Sequence, residues 1–219
     1  TRAEGFVYQV AASGASDHHI TTAGGVKLYV EAEGAGILLD AFGILGDGSN
    51  EVTAINAALV KIAAVGKTAI LTNGKTYGGV SGTSIVLQGS LEGNGATVAS
   101  RVQCATANTK IRNVKIISPD AVYALYLGLA GSRTANVSME NVTLEFSGGT
   151  ANLRLGLQAM NLDNFSMRNC RIMYGSNFVR CNNLSVIGNT FDGDNYQNGV
   201  ELLQLTVRSH GVIIGNTFI

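Results

Sequence analysis

Three acidic side chains, those of Asp192, Asp194 and Glu201, form the densest carboxylate group in the repetitive part of the chain. Hydrolysis of a glycosidic bond uses two carboxyl groups, one to protonate the leaving oxygen and one to act as base or nucleophile. Asp192 and Asp194 are two residues apart, so in an extended strand they would point to the same side. The three residues are candidate catalytic groups for a polysaccharide hydrolase, although the run Asp-Gly-Asp-Asn-Tyr also fits an ordinary polar turn.

A second set of side chains, Tyr126, Arg154 and His210, suits sugar binding or the chemistry of a lyase. A lyase needs a base beside a group that neutralises the carboxylate of a uronic acid, and these residue types can supply both. The internal repeat of the chain puts Tyr126 and Arg154 in one outward position on adjacent coils, where they could also form a cation–π stack. We expect these residues to bind substrate, and we favour hydrolysis over elimination.

No combination of residues has the spacing of a metal site. His18 and His19 are neighbours without a third ligand at a suitable distance, and the three cysteines, at positions 104, 170 and 181, show no metal-binding pattern. Cys170 occupies a repeat position that valine fills elsewhere, so we interpret it as a small buried apolar residue. We therefore expect neither a metal nor a cofactor.

An internal repeat organises the chain. Residues 125–141 align with residues 153–169 at a shift of 28, and eight of the seventeen aligned positions are identical. Repeats of about 20 to 50 residues are typical of solenoids. The aligned segments Leu-Tyr-Leu-Gly-Leu and Leu-Arg-Leu-Gly-Leu alternate with the period of a strand. The sequence therefore predicts an all-β fold, a parallel β-helix with one short coil per repeat.

Three columns follow from stacking the repeats. A turn position carries only glycine or asparagine, which indicates a left-handed backbone at positions 93, 113, 141, 169, 188 and 215. A second column has asparagine at positions 108, 136, 164 and 183, which we interpret as amides bonded from coil to coil, with sugar binding as the alternative. The third, outward column reads Arg112, Glu140, Arg168, Ile187 and Ile214, a charge ladder ending in an apolar pair that contact between subunits would cover.

The composition excludes some partners. Fifteen basic residues balance fifteen acidic ones and no basic patch is visible, so we expect no nucleic-acid partner. No apolar run approaches the ~20 residues of a membrane helix, so we expect no membrane insertion. The 28 glycines and single proline suit many tight turns between hydrogen-bonded strands.

The pattern divides the chain into three parts. Residues 1–36 form an N-terminal segment, residues 37–66 a cap, and residues 67–219 the coils. Within the cap, residues 51–64 have helical apolar spacing, with Ser49 or Asn50 as the candidate N-cap. One amphipathic helix at this place would cover the open end of the first coil. Because residue 219 lies inside a repeat, we expect the natural chain to continue.

Two segments resemble known proteins. Residues 40–59, with Phe42, Gly43, Gly46, Asp47 and Gly48, resemble the opening motif of pectate-lyase-like right-handed β-helix proteins. The segment departs from that motif, since Ala41 is inserted and Asn56 replaces a glutamine. Residues 8–30 resemble the segment that leads into the β-helix in bacteriophage tailspikes.

The resemblance implies a tailspike or tail fibre. Such a protein would be a homotrimer held to the phage tail or baseplate by its N-terminal end, located in the virion and acting at the host cell surface. Its β-helix would bind and depolymerise capsule or O-antigen. Three alternatives remain: a non-catalytic fibre or adhesin, a tailspike whose active site lies beyond residue 219, and a cellular β-helix enzyme unrelated to phage.

Overall fold

The protein is a parallel β-helix preceded by a small antiparallel sheet. The computed structural model describes residues 5–32, 34–79, 82–119, 122–147, 155–193, 203–206 and 209–219. The N-terminal sheet is antiparallel, has the order β1-β3-β2 and consists of β1 (Tyr8–Val10), β2 (Ile20–Thr21) and β3 (Lys27–Val30). Strand β4 (Gly36–Leu38), a 3-10 turn (Leu39–Phe42) and helix α1 (Val52–Ala64) follow.

Each full coil contributes one strand to each of three faces. The first face runs in parallel through β5 (Thr68–Ile70), β8 (Leu91–Glu92), the first half of β11 (Lys110–Ser118), the first half of β14 (Ser138–Phe146), β17 (Ser166–Arg168), β20 (Leu184–Ile187) and β23 (Gly211–Ile214). The second face comprises β6 (Thr76–Gly78), β9 (Thr97–Ala99), the second halves of β11 and β14, β18 (Arg171–Met173), β21 (Thr190–Asp192) and β24 (Thr217–Phe218).

The third face is a separate six-stranded parallel sheet. Its strands are β7 (Ser84–Leu87), β10 (Arg101–Cys104), β12 (Tyr123–Leu127), β15 (Leu155–Met160), β19 (Ser176–Val179) and β22 (Leu203–Thr206). Two short strands, β13 (Thr134–Ala135) and β16 (Leu162–Asp163), pair between the third and first faces. The predicted all-β parallel β-helix is therefore confirmed.

The turn between the first and second faces is left-handed, as predicted, at all but one coil. Asn113, Asn141 and Asn169 have φ of 51°, 53° and 52°, and Gly188 and Gly215 have φ of 65° and 63°. Residue 93 is the exception, because the left-handed turn there begins one residue later, at Asn94 (φ 50°). Gly93 is needed for space instead, since a Cβ at this position would lie 2.5 Å from the carbonyl oxygen of Asn113.

The predicted asparagine column is an amide ladder. Asn136 Nδ2 donates to Asn108 Oδ1 at 2.9 Å, Asn164 Nδ2 to Asn136 Oδ1 at 3.0 Å, and Asn183 Nδ2 to Asn164 Oδ1 at 3.1 Å. All four residues have positive φ, between 52° and 58°. The side chains therefore join successive coils at a corner where the backbone is left-handed.

Apolar side chains on either side of each asparagine turn fill the interior. Ile111, Met139, Met167 and Val186 are buried on the first face, and Ile116, Leu144, Ile172 and Phe191 on the second. Cys170 is buried in the position that Val142 fills one coil earlier, as predicted. Burial raises the pKa of its thiol to about 11, so it packs as a neutral side chain.

The cap consists of the 3-10 turn Leu39–Phe42 and helix α1. The helix buries Val52, Ile55, Ala58, Leu59 and Ile62, the apolar positions with helical spacing, against the first coil.

The prediction of Ser49 or Asn50 as the N-cap of helix α1 is wrong. The N-cap is Glu51, and it makes no side-chain capping bond. Its carboxylate accepts the N–H groups of Leu45 and Gly46 instead, and so holds the loop before the helix.

Candidate functional site

Asp192 is the one predicted catalytic carboxylate that the structure describes. It ends β21 on the second face, where its side chain is only 6% exposed and Oδ2 accepts a 2.5 Å hydrogen bond from Arg171 Nη2. This hydrogen bond raises the pKa of the Arg171 guanidinium, so the arginine stays charged. Asp194 and Glu201 lie outside the described residues, as does Arg154.

A second carboxylate, which the sequence reasoning missed, lies in the same outward column. Strand pairing places Glu145 two coils before Asp192, with Met173 between them. Two coil steps separate the Cα atoms by ~9.6 Å. Carboxyl groups of inverting glycosidases are about 6.5–9.5 Å apart. Applying the 28-residue and 19-residue steps of the repeat to Glu145 leads to Met173 and then Asp192, so the signal was present in the sequence.

Both carboxylates are held in ion pairs. Glu145 Oε2 lies 2.7 Å from Lys115 Nζ, and Asp192 is bound by Arg171. A general acid must carry a proton, whereas each of these carboxylates accepts from a cation. The Cα separation of the pair is near the upper limit of the range for inverting glycosidases, and each of the two carboxylates is bound by a cation.

An aromatic turn lies beside this pair. Tyr174 has φ of 68°, which is strained for a bulky side chain, and its ring meets Phe146 edge to face at 5.2 Å. Its N–H donates to the backbone oxygen of Asp192 at 3.0 Å. Only two residues join β18 to β19 here, whereas eight join β14 to β15 and ten join β21 to β22. This short connection thus places an aromatic ring close to the carboxylates.

Tyr126 lies on the third face, but its predicted partner is wrong. The register pairs Tyr126 with Gln158 on the next coil, not with Arg154. Leu125 pairs with Leu157, a shift of 32 residues, while Ser138 pairs with Ser166 at a shift of 28.

The slip arises because the connecting segments differ between coils. Four residues join β11 to β12, but eight join β14 to β15, which moves the third face by four residues. Between the third and first faces the difference is reversed. Six residues join β12 to β13, but only one joins β15 to β16. The repeated Leu-X-Leu-Gly-Leu segments therefore do not stack, although the overall coil length is the same.

The third face carries a column of amides around Tyr126. Gln103, Tyr126, Gln158 and Asn177 are neighbours on successive strands. The ring of Tyr126 lies 5.1 Å from that of Tyr123, and the guanidinium of Arg101 stands 5.3 Å over Tyr123. We call this set the aromatic–amide face; its members are Arg101, Gln103, Tyr123, Tyr126, Gln158 and Asn177.

The environment of Tyr126 suits binding better than base catalysis. Burial, and to a smaller extent the neighbouring Tyr123, raises the pKa of the Tyr126 phenol, so it stays protonated near neutral pH. Its hydroxyl lies 3.5 Å from the sulfur of Met160. A lyase base would need the opposite shift of pKa.

His210 lies apart from Tyr126. It is exposed and lies in the segment before β23. Its backbone N–H donates to the carbonyl oxygen of Cys181, and its carbonyl oxygen accepts from the N–H of Leu184. Three coil steps, ~14 Å, separate this segment from the strand of Tyr126. The structure therefore does not bring Tyr126 and His210 together, and Arg154 lies outside the described residues.

The part of the chain that the structure describes has no cluster of metal ligands and no membrane-spanning helix. That part holds no group of three or more histidine, cysteine or acidic side chains placed to bind a metal ion. Its helix, with 13 residues, is too short to cross a membrane.

Comparison with known proteins identifies no family. No family model matches the chain, and no curated protein matches its sequence. One similar solved structure is a protein from Parabacteroides merdae described as a "putative glycosyl hydrolase". It has 10% sequence identity and a TM-score of 0.46, and the alignment covers 83% of this chain and 92% of that one. A match this distant carries no functional argument.

Proposed function

We propose that this chain is the β-helix of a tailspike-type protein that binds a host-surface polysaccharide, capsule or O-antigen, along its aromatic–amide face. The observation that carries the proposal is the column Gln103, Tyr126, Gln158 and Asn177, which presents amides on both sides of an aromatic ring. Amides both donate and accept hydrogen bonds, as sugar hydroxyls require, and aromatic rings cover the C–H faces of sugars. Steps of ~4.8 Å let such a row contact successive units of one sugar chain.

The tailspike assignment is supported by the order of elements that resemble tailspikes. The N-terminal sheet and the cap lie where the two resembling segments fall, ahead of the first coil. On this proposal the N-terminal end faces the phage tail, and three copies assemble side by side. The outward Ile187 and Ile214, of which Ile214 is 59% exposed, would be covered in the trimer.

We further propose that the whole protein hydrolyses the polysaccharide. The position of Glu145 and Asp192 in one column, with Cα atoms ~9.6 Å apart, is compatible with hydrolysis, and the protonated phenol of Tyr126 disfavours elimination. The second candidate is a non-catalytic fibre or adhesin. It is favoured by the ion pairs that occupy both carboxylates, Glu145 with Lys115 and Asp192 with Arg171.

Product analysis separates these functions. The chain is incubated with capsules and O-antigens from a bacterial panel, and reducing ends and the absorbance of unsaturated uronates are followed. Reducing ends without that absorbance, lost in Glu145→Gln and Asp192→Asn but kept in Glu140→Gln on the first face, support hydrolysis at this pair. Reducing ends with that absorbance would show elimination. Binding without any product would leave the adhesin.

A further inference from the structure

The N-terminal sheet is attached to the cap through the segment before β2. The hydroxyl of Tyr8 donates to the backbone oxygen of Ala41 at 3.0 Å, and Lys61 of α1 donates to the backbone oxygen of His18. The ring of His19 packs against Phe42 of the 3-10 turn, with centroids 5.9 Å apart, and against Tyr29 at 5.5 Å. His19 therefore lies where β3, the 3-10 turn and α1 meet.

The hydrogen bonding of His19 fixes its protonation state. The backbone N–H of Val30 donates to His19 Nδ1 at 2.9 Å, and a backbone N–H can only donate. Nδ1 must therefore be an unprotonated acceptor, which a doubly protonated imidazolium cannot supply. Val30 is 5% exposed, so its N–H would lose its partner in a buried place if His19 gained a proton.

The surrounding charges also act on the ring. Burial lowers the pKa of His19 and Lys61 lowers it further, while Asp17 acts in the opposite direction and His18 adds a small lowering effect. Glu31 and Lys67 line the adjoining cleft of about 620 Å³. The charge of the 3-10 turn, Asp40, is directed away, since its carboxylate accepts from Thr72, Lys75 and Tyr77.

We propose that His19 is an acid-sensitive latch, and that its protonation loosens β3 and its packing against the cap of the β-helix. The neutral ring accepts from Val30 and fits against Phe42 and Tyr29. The charged ring presents N–H to N–H and adds a positive charge near Lys61. This inference is independent of what the β-helix binds.

The direction of the pH effect follows from linkage. The pKa of His19 in the packed state lies below its ordinary value of 6.5, so the loosened state binds the proton more tightly. The latch is at full strength above pH 6.5 and weakens as the pH falls through the lowered pKa. Over that interval one proton reduces the ratio of packed to loosened states by up to about tenfold per pH unit.

Hydrogen exchange tests the latch. Exchange of the peptide covering residues 26–32 is measured from pH 7.5 to 5.0, corrected for intrinsic rates, with the peptide covering residues 110–118 as internal reference. Wild type should lose protection at residues 26–32 on acidification, while the reference keeps it. His19→Asn, whose Oδ1 can accept from Val30 without titrating, should show no loss. His18→Asn should behave as wild type, because the ring of His18 bonds to Ala15 and Thr21 and does not contact Val30 or Phe42.

Two outcomes would overturn the proposal: equal protection of the wild type at both pH values, or the same acid-induced loss in His19→Asn. NMR titration of the wild-type histidines gives a check that needs no variant. The chain has three histidines, so each signal can be assigned. The pKa of His19 should lie below its ordinary value of 6.5, and titration at or above that value would equally exclude a latch.

Discussion

At the scale of single residues, a few polar groups join segments distant in sequence. Asp40 accepts from Thr72 Oγ1 at 3.1 Å, from Lys75 Nζ at 2.5 Å and from the hydroxyl of Tyr77 at 2.7 Å, and so ties the 3-10 turn to the first coil. The motif containing Asp40 indicated a cap, yet these three partners could not be predicted. They lie 32 to 37 residues away, in a coil whose register the repeat does not reach.

Removing the hydroxyl of Tyr77 should weaken the cap. Tyr77 is 1% exposed, and its hydroxyl also accepts from the N–H of Thr72 at 3.0 Å. Tyr77→Phe leaves both Asp40 and that N–H short of a partner, at a cost of about 1–3 kcal/mol. Urea unfolding at pH 7 measures this loss of stability. Tyr29→Phe is the control, because the hydroxyl of Tyr29 is bonded to the exposed Asp17. Equal small losses in both variants would contradict this role.

Alkaline pH should act on the same residue. Burial, and then its hydrogen bond to Asp40, raises the pKa of Tyr77 to about 12. Because this pKa lies above the unfolded value of 10.0, the stabilisation is complete below pH 10 and is lost as the pH rises towards 12. The midpoint temperature of thermal unfolding should fall more steeply across this pH range for the wild type than for Tyr77→Phe. Parallel profiles would show that ionisation of Tyr77 does not contribute.

One buried hydroxyl has no hydrogen-bond partner among the described residues. Ser176 Oγ lies inside the third face, where the register places Leu157 and Leu203 on either side. Ser176→Ala should therefore stabilise the fold by about 0.5–1.5 kcal/mol, because it removes an unpaired polar group. Ser100→Ala is the matched control and should destabilise, since Ser100 is equally buried and accepts from the N–H of Gly79. A loss of stability in Ser176→Ala would contradict this reading in urea unfolding.

At the scale of elements, the corner between the third and first faces depends on the asparagine ladder. Its existence could be predicted because asparagine at a fixed repeat position combines tolerance of positive φ with an amide that donates and accepts. The charge ladder could also be predicted, because its residues occupy one fixed repeat position. Arg112, Glu140 and Arg168 are paired in register, and Arg112 Nε lies 3.7 Å from Glu140 Oε2.

Substitutions at Asn136 separate the two contributions of the ladder. Asn136→Ala loses amide bonds to both neighbours and forces alanine into φ of 57°. Asn136→Gly loses the same bonds but accepts the backbone conformation, so its loss should be smaller by roughly 0.5–1 kcal/mol. Urea unfolding of the two variants decides the point. If glycine were the more damaging substitution, the left-handed backbone would not be the constraint.

At the scale of the whole molecule, coil length and face register are separate properties. The 28-residue repeat correctly aligned the first face, since Ser138 pairs with Ser166. It misaligned the third face, where Tyr126 pairs with Gln158, because identical residues recurred at a place where the connections differ in length. The periodicity of the first face could not show that the connection before the third-face strand is longer in this coil and the connection after it is correspondingly shorter. The Glu145–Asp192 column was accessible from the repeat, but no local motif marks Glu145.

Polysaccharide binding by two matched variants tests the central claim, that the aromatic–amide face is the binding surface. Calorimetric titration with the polysaccharide that the panel identifies is performed on Tyr126→Ala and Gln158→Ala. Glu140→Ala is the control, with an exposed side chain on the first face. Each aromatic–amide variant should weaken binding at least about tenfold, equivalent to roughly 1.4 kcal/mol, and the control should bind as wild type. Unchanged affinity in both aromatic–amide variants, with the fold intact by circular dichroism, would contradict the claim.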